Sequence, residues 1–238
     1  MTAHAREPRS RRERPAKPAL ARAGIVATAV ELMRAEGLER VTMRRLAQEL
    51  DTGPASLYVY VRNTAELHAA VLDELLGTVD LTPAGDDWDW RDRLVRVLTS
   101  YTHVLFEHPG LARSALVARP SGEHYLDLVE TVLALLSEGG VPPERAAWAL
   151  DLLLQFATAT AAEQATRDQA VDAQDDWDTL TAALHGASRD RHPHIAGLAT
   201  ELLSGSGPDR LAWGFRVLIS GVSAAPRPNA GPPEDRQA

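Results

Sequence analysis

The 238-residue chain predicts an all-α fold, a small N-terminal three-helix head carrying a helix-turn-helix and a larger helical body. Three observations point there. Apolar residues recur three and four apart along most of the chain, the spacing that gives a helix one buried face. Gly and Pro fall between these periodic runs, where helices stop and start. And Asp51-Thr52-Gly53 breaks two short helical patterns that would otherwise be one.

The first helix is predicted over Leu20 to Glu36, with Ala21, Ile25, Ala29, Leu32 and Met33 on one stripe and Gly37 as its stop. Thr42 can cap the second, whose Leu46, Ala47 and Leu50 face a core. Pro54 suits the first turn of the third, since its missing N–H would have had no helical partner there. In that helix Leu57 and Val61 point inward, leaving Pro54, Ala55, Ser56, Tyr58 and Tyr60 outward. Small residues at the start of a helix let its backbone approach base edges, and tyrosine hydroxyls can reach phosphates. The plainer alternative is a three-helix module whose tyrosines only cover its core. Asn63, followed three residues on by Glu66, caps a fourth helix through Leu67, Val71, Leu75 and Leu76.

Beyond residue 80 helices are predicted over Trp90 to Phe106, ended by His108-Pro109-Gly110, and from about Gly122 to Glu138, closed by Gly139-Gly140. A long helix follows from Glu144 to about Arg167. Asp168 to Asp178 reads as an acidic loop, Trp177 to Leu184 and Ile195 to Leu203 as shorter helices, and Pro208 to about Ser220 as the last. The long and last helices are apolar over more than one stripe, so each must bury a second face. That face is assigned to a four-helix homodimer interface, two helices from each chain; the alternative is the core of a monomeric bundle.

Charge divides the chain in the same place. Residues 1–62 carry 12 Lys+Arg against 7 Asp+Glu, and the remainder 13 against 26. A basic head on an acidic body fits a phosphate-contacting end and a body that phosphate repels. Arg6, Arg9, Arg11, Arg12, Arg14 and Lys17 alternate with prolines without apolar period, which predicts a disordered basic arm over residues 1–17. Domains are accordingly expected at 18–78 and 79–224, with a Pro- and Gly-rich disordered tail at 225–238.

Other functions find little support. With no cysteine there is neither a disulfide nor a thiol nucleophile. No apolar run follows the basic N-terminus as in a signal peptide, and the longest uncharged stretch, Leu152 to Ala162, is short of the roughly 20 residues of a membrane span. A soluble, cytoplasmic protein is expected. An all-helical enzyme would need a motif such as Glu-x-x-His, and the chain has none, nor a phosphate-binding loop, Gly-x-Ser-x-Gly or His-Glu-x-x-His. His192-Pro193-His194 lacks a third ligand and reads as a loop, so no cofactor or metal is expected. An interaction scaffold would leave the basic, tyrosine-bearing head without a purpose.

The run from Glu31-Leu-Met-Arg-Ala-Glu-Gly37 through Leu46-Ala47 to Leu57-Tyr-Val-Tyr-Val-Arg-Asn63 resembles the N-terminal domain of the TetR family of bacterial transcriptional regulators over roughly residues 20–78. It is most similar to the tetracycline-repressor branch. The resemblance implies a homodimeric regulator, more a repressor than an activator, on a double-stranded DNA operator, released by a small-molecule effector. It implies that Thr42 holds a phosphate and Arg44 reaches a guanine, that Gly53, Pro54, Ala55 and Ser56 face bases, and that Tyr58 and Tyr60 lie on the backbone. Thr64 replaces the family's phosphate-gripping lysine, and Arg62 stands beside it as a substitute. A weaker resemblance in the body, at Ala118 to Tyr125 and Trp213 to Gly221, implies an effector pocket with Tyr101, Thr131, Thr160 and Glu163 as ligand contacts. Asp80 and Ala115 stand where the tetracycline repressors carry drug- and magnesium-binding histidines, and Val97 where they carry an asparagine. The implied ligand is therefore a small molecule other than magnesium-tetracycline.

Overall fold

A computed structural model describes residues 20–82, 88–116, 120–170 and 172–226. The expected basic arm over 1–17 lies outside these residues, as does all of the expected tail but Ala225 and Pro226. The described residues form eleven α-helices and one 3-10 turn, with no strand among them.

The head opens with α1 (Arg22–Glu36), followed by the 3-10 turn Leu38–Arg40. Next come α2 (Met43–Glu49), α3 (Pro54–Leu57) and α4 (Thr64–Leu76). Both caps expected here form. Thr42 Oγ1 accepts the Arg45 N–H at 3.2 Å, and Asn63 Oδ1 accepts that of Glu66 at 2.8 Å. The break between α2 and α3 is a Schellman turn, in which Thr52 N–H donates to the Ala47 carbonyl and Asp51 N–H to that of Gln48. Asp51, not Gly53, takes the left-handed conformation there, with φ 47°. Aspartate tolerates that region better than most residues do, which is why this break works without a glycine at the bend.

The body comprises α5 (Trp90–Glu107), α6 (Pro109–Ala115), α7 (Glu123–Glu138) and α8 (Pro143–Arg167). It continues through α9 (Ala173–His185), α10 (Pro193–Leu203) and α11 (Gly207–Ala224). One continuous apolar core runs from Ile25 in α1 to Ile219 in α11. At its centre α5 and α8 pack together with α6, α7 and α11 around them, while α4 bridges from α1 to α6 and α7. Phe156 of α8 meets Phe215 of α11 edge to face, with centroids 5.3 Å apart.

Three expectations need correction. Pro109 starts α6 rather than only ending α5, because a proline at the first helical position forfeits no hydrogen bond. The stretch taken as an acidic loop is helical from Ala173: Asp175 and Asp176 lie in the first turn of α9, where the helix dipole favours anions, and Gln174 bonds Asp178 one turn on. The reading helix is shorter than expected. It ends at Leu57, and residues 58–60 form a turn.

Candidate nucleic-acid interface

The surface formed by the start of α2 and by α3 is held from behind. Leu46, Ala47, Leu57 and Val61 are buried, and His68 Nε2 lies 3.0 Å from the Val41 carbonyl, tying α4 to the segment that enters α2. Glu36 and Glu49 grip Arg45 at 2.6 and 2.7 Å, locking α2 to the end of α1. Hydrogen bonding to Arg45 holds the Glu36 carboxyl below its ordinary pKa, and the same bonds push the Arg45 guanidinium up. Arg45 is thus committed within the protein. Its neighbour Arg44 is exposed, with no ion pair or side-chain hydrogen bond among the described residues.

Thr42, Gly53, Pro54, Ala55 and Ser56 are exposed, as Arg44 is, and α2 packs against α3. They are small, uncharged residues, and among the described residues the guanidinium of Arg44 has no ion pair. Tyr58 is 52% exposed, as expected of a backbone contact. Tyr60 corrects the outward assignment. Its ring packs partly against the core, and Val59 stands outward instead at 80% exposure. Sequence reasoning missed Val59 because it alternated residues 58 to 60 outward and inward; at about 100° per residue Val59 lies opposite Leu57, and Tyr60 lies on the flank of the buried stripe.

Arg62 lies at the margin. Its Nε donates to Glu66 at 2.9 Å and its backbone N–H to the same carboxylate, which lowers the Glu66 pKa, the backbone bond contributing most. The side chain is nevertheless 86% exposed, so a phosphate would compete with Glu66 for a guanidinium already facing solvent.

The four implied effector contacts differ in burial: Tyr101 is buried, Thr131 and Thr160 are half-buried and Glu163 is exposed. Only Tyr101 lies on the inner face of the body, where its hydroxyl and that of Thr158 are 2.7 Å apart. Burial raises the Tyr101 pKa, the Thr158 bond opposes this, and nearby Tyr125 adds to the rise. Thr131 and Thr160 each donate to a carbonyl one turn back in their own helix, Asp127 and Phe156. Glu163 is exposed and paired with Arg167. Thr158 was not foreseen, although its signal is present: it is a polar residue on the otherwise apolar stripe of Leu154, Ala157 and Ala161.

Comparison with known proteins accounts for both halves. The model of bacterial regulatory proteins of the tetR family matches residues 25–71, and that of the tetracyclin repressor-like C-terminal domain matches residues 82–225. The crystal structure of the transcription regulator SCO7704 from Streptomyces coelicolor is 62% identical, covering 90% of this chain and 100% of that one, with a TM-score of 0.75. ActR of Streptomyces coelicolor, in complex with actinorhodin, is 35% identical over 86% of this chain and 96% of that one, with a TM-score of 0.76. An HTH-type transcriptional regulator of Saccharopolyspora erythraea is 33% identical over 124 residues, a match spanning 52% of each chain, so about half the length of that relative is accounted for. With head and body each matched, this chain belongs to the TetR family of bacterial regulatory proteins.

Proposed function

We propose that this protein is a cytoplasmic transcriptional repressor that binds a palindromic DNA operator as a homodimer and leaves it when a small molecule binds the body. The observation that carries the reading is the contrast between Arg45, saturated by two carboxylates, and Arg44, exposed without an ion pair among the described residues. Arg44 lies on α2, which packs against α3, and the small residues Gly53 to Ser56 at the start of α3 also face outward. An exposed guanidinium can bond a guanine bidentately, and small outward residues let the backbone approach the major groove. Thr42 and Tyr58 would contact phosphates, with Arg62 at the margin. Val59 adds an apolar group suited to a thymine methyl.

One such surface covers only a half-site, so a second copy supplies the other. The outward faces of α8 and α11 carry Leu152, Trp213 and Val217, with Trp213 68% exposed. Covering large apolar side chains contributes about 1.5–3 kcal/mol each, which favours a second chain packed there.

The effector meets Tyr101 and Thr158. Among the described residues no charged side chain is buried; the buried polar ones are Thr102 and Thr158. A charged group brought among them would lack a partner at large cost, so the effector presents a neutral, apolar surface with a hydroxyl or carbonyl to this pair. ActR, seen with actinorhodin, is a relative in which a ligand is held. Release follows if the effector prefers the dimer whose heads are wrongly spaced, with a coupling of about 1–3 kcal/mol. Sequencing the DNA that the purified protein retains from a random duplex pool tests the reading: an enriched inverted repeat supports it, and no enrichment over input refutes it.

A further inference from the structure

The N-terminus of α7 lacks a cap of its own. Its N-cap residue is Gly122, which has no side chain to accept the free amide three residues on. That amide, Tyr125 N–H, donates instead to Asp73 Oδ1 of α4, 3.0 Å away. The cap of a body helix is therefore supplied by a head helix 52 residues upstream in sequence.

The fit is close. A Cβ at residue 122 would stand 1.9 Å from Asp73 Oδ2, so the carboxylate fills the space a side chain would occupy. One turn further along α4, a Cβ at Gly77 would stand 3.0 Å from the His124 ring. The first turn of α7 thus rests on two successive turns of α4, at the inner end of a groove of about 520 Å³ that runs along α4 from Arg62 and Asn63 to Ser121 and Gly122. The other side of that turn leads to the effector pair: Tyr125 packs against the core and lies near Tyr101.

We propose that Asp73 is a positioning residue that clasps the reading head to the body, capping α7 across the boundary so that the head moves with α7. A carboxylate at a helix N-terminus satisfies orphan amides and complements the helix dipole, which makes the clasp directional and stiff. The part of this inference that concerns DNA affinity rests on the regulator reading above; the part that concerns head position does not.

Gly122→Ser separates clasping from capping. The serine hydroxyl gives α7 a local cap while its Cβ evicts Asp73. The full chain has no cysteine, so spin labels at Glu31→Cys on α1 and Glu144→Cys on α8, diluted with unlabelled protein, report head against body. The parent should give one narrow distance. Gly122→Ser should broaden or shift it with little change in unfolding temperature, and Asp73→Ala should do the same while also lowering that temperature. On the duplex enriched from the random pool, both should lose roughly fivefold or more in affinity, the low end of typical couplings. The double variant Gly122→Ser/Asp73→Ala should stay broadened, because the clasp is gone even though the clash is relieved. A parent-like distance in Gly122→Ser, or its recovery in the double variant, overturns the proposal. If no duplex is enriched, the regulator reading fails while the distances still decide this one.

Discussion

At the scale of single residues, the head separates side chains that hold it together from those left for a partner. Arg44 and Arg45 are adjacent, yet one is exposed with no ion pair among the described residues and the other bridges α1 and α2. Arg44→Ala should relax preference at one base pair at a cost of about 1–3 kcal/mol, whereas Tyr58→Phe should weaken all sequences alike, since a phosphate contact carries no base information. Selection profiles of the two variants check this. A changed base preference in Tyr58→Phe at unchanged affinity would contradict the assignment. In the body, Tyr101→Phe leaves the Thr158 hydroxyl buried without its partner, which should cost about 1–3 kcal/mol, while the pair Tyr101→Phe/Thr158→Val should cost less than the two single changes together. Denaturant unfolding of the four proteins measures that coupling.

At the scale of elements, head and body meet at α4 and again where the 3-10 turn Leu38–Arg40 packs on the start of α6. The second contact borders an open groove of about 260 Å³ lined by Met33, Arg34 and Leu38 from the head and by Glu107, His108 and Pro109 from the body. Burial lowers the His108 pKa below its ordinary 6.5; Glu107 opposes this and Arg34 reinforces it. A histidine whose folded pKa is depressed stabilises the fold fully above its unfolded value, and that stability is lost as pH falls through the folded one. Unfolding temperature should therefore drop below about pH 6.5 more steeply in the parent than in His108→Gln; equal slopes would show that His108 has no part in it.

The sequence made helices legible wherever a stripe and a cap coincided, as at Thr42, Asn63 and Gly139-Gly140, because those signals act within one turn. It misled where one residue type serves two ends: Pro109 begins α6, and the acids after Asp172 open α9. Gly53 to Ser56 could be placed outward because they precede Leu57, the residue of α3 that the core takes. Tyr60 and Val59 follow helical rather than alternating order: at about 100° per residue from Leu57 the first falls on the flank of the buried stripe and the second opposite it. Thr158 and the Asp73 clasp join residues 57 and 52 positions apart, and no local pattern reports such a pairing.

At the scale of the whole molecule, the account requires two copies. The helices that carry Trp213 and Leu152 outward also pack on each other through Phe215 and Phe156, so the exposed stripe stands on a rigid base. Trp213→Glu should yield a species of one chain mass in sedimentation at concentrations where the parent has twice that mass, with its helical content retained. A variant that stays dimeric would move the interface elsewhere.

The central claim is that two reading heads engage one duplex, and the mass of the protein–DNA complex tests it most directly. On the duplex enriched from the random pool, native mass measurement should find two chains per duplex, and scrambling one half-site should abolish most of the affinity, because half-sites one helical turn or more apart are read by one head each. A single chain bound with full affinity to a lone half-site would contradict the account.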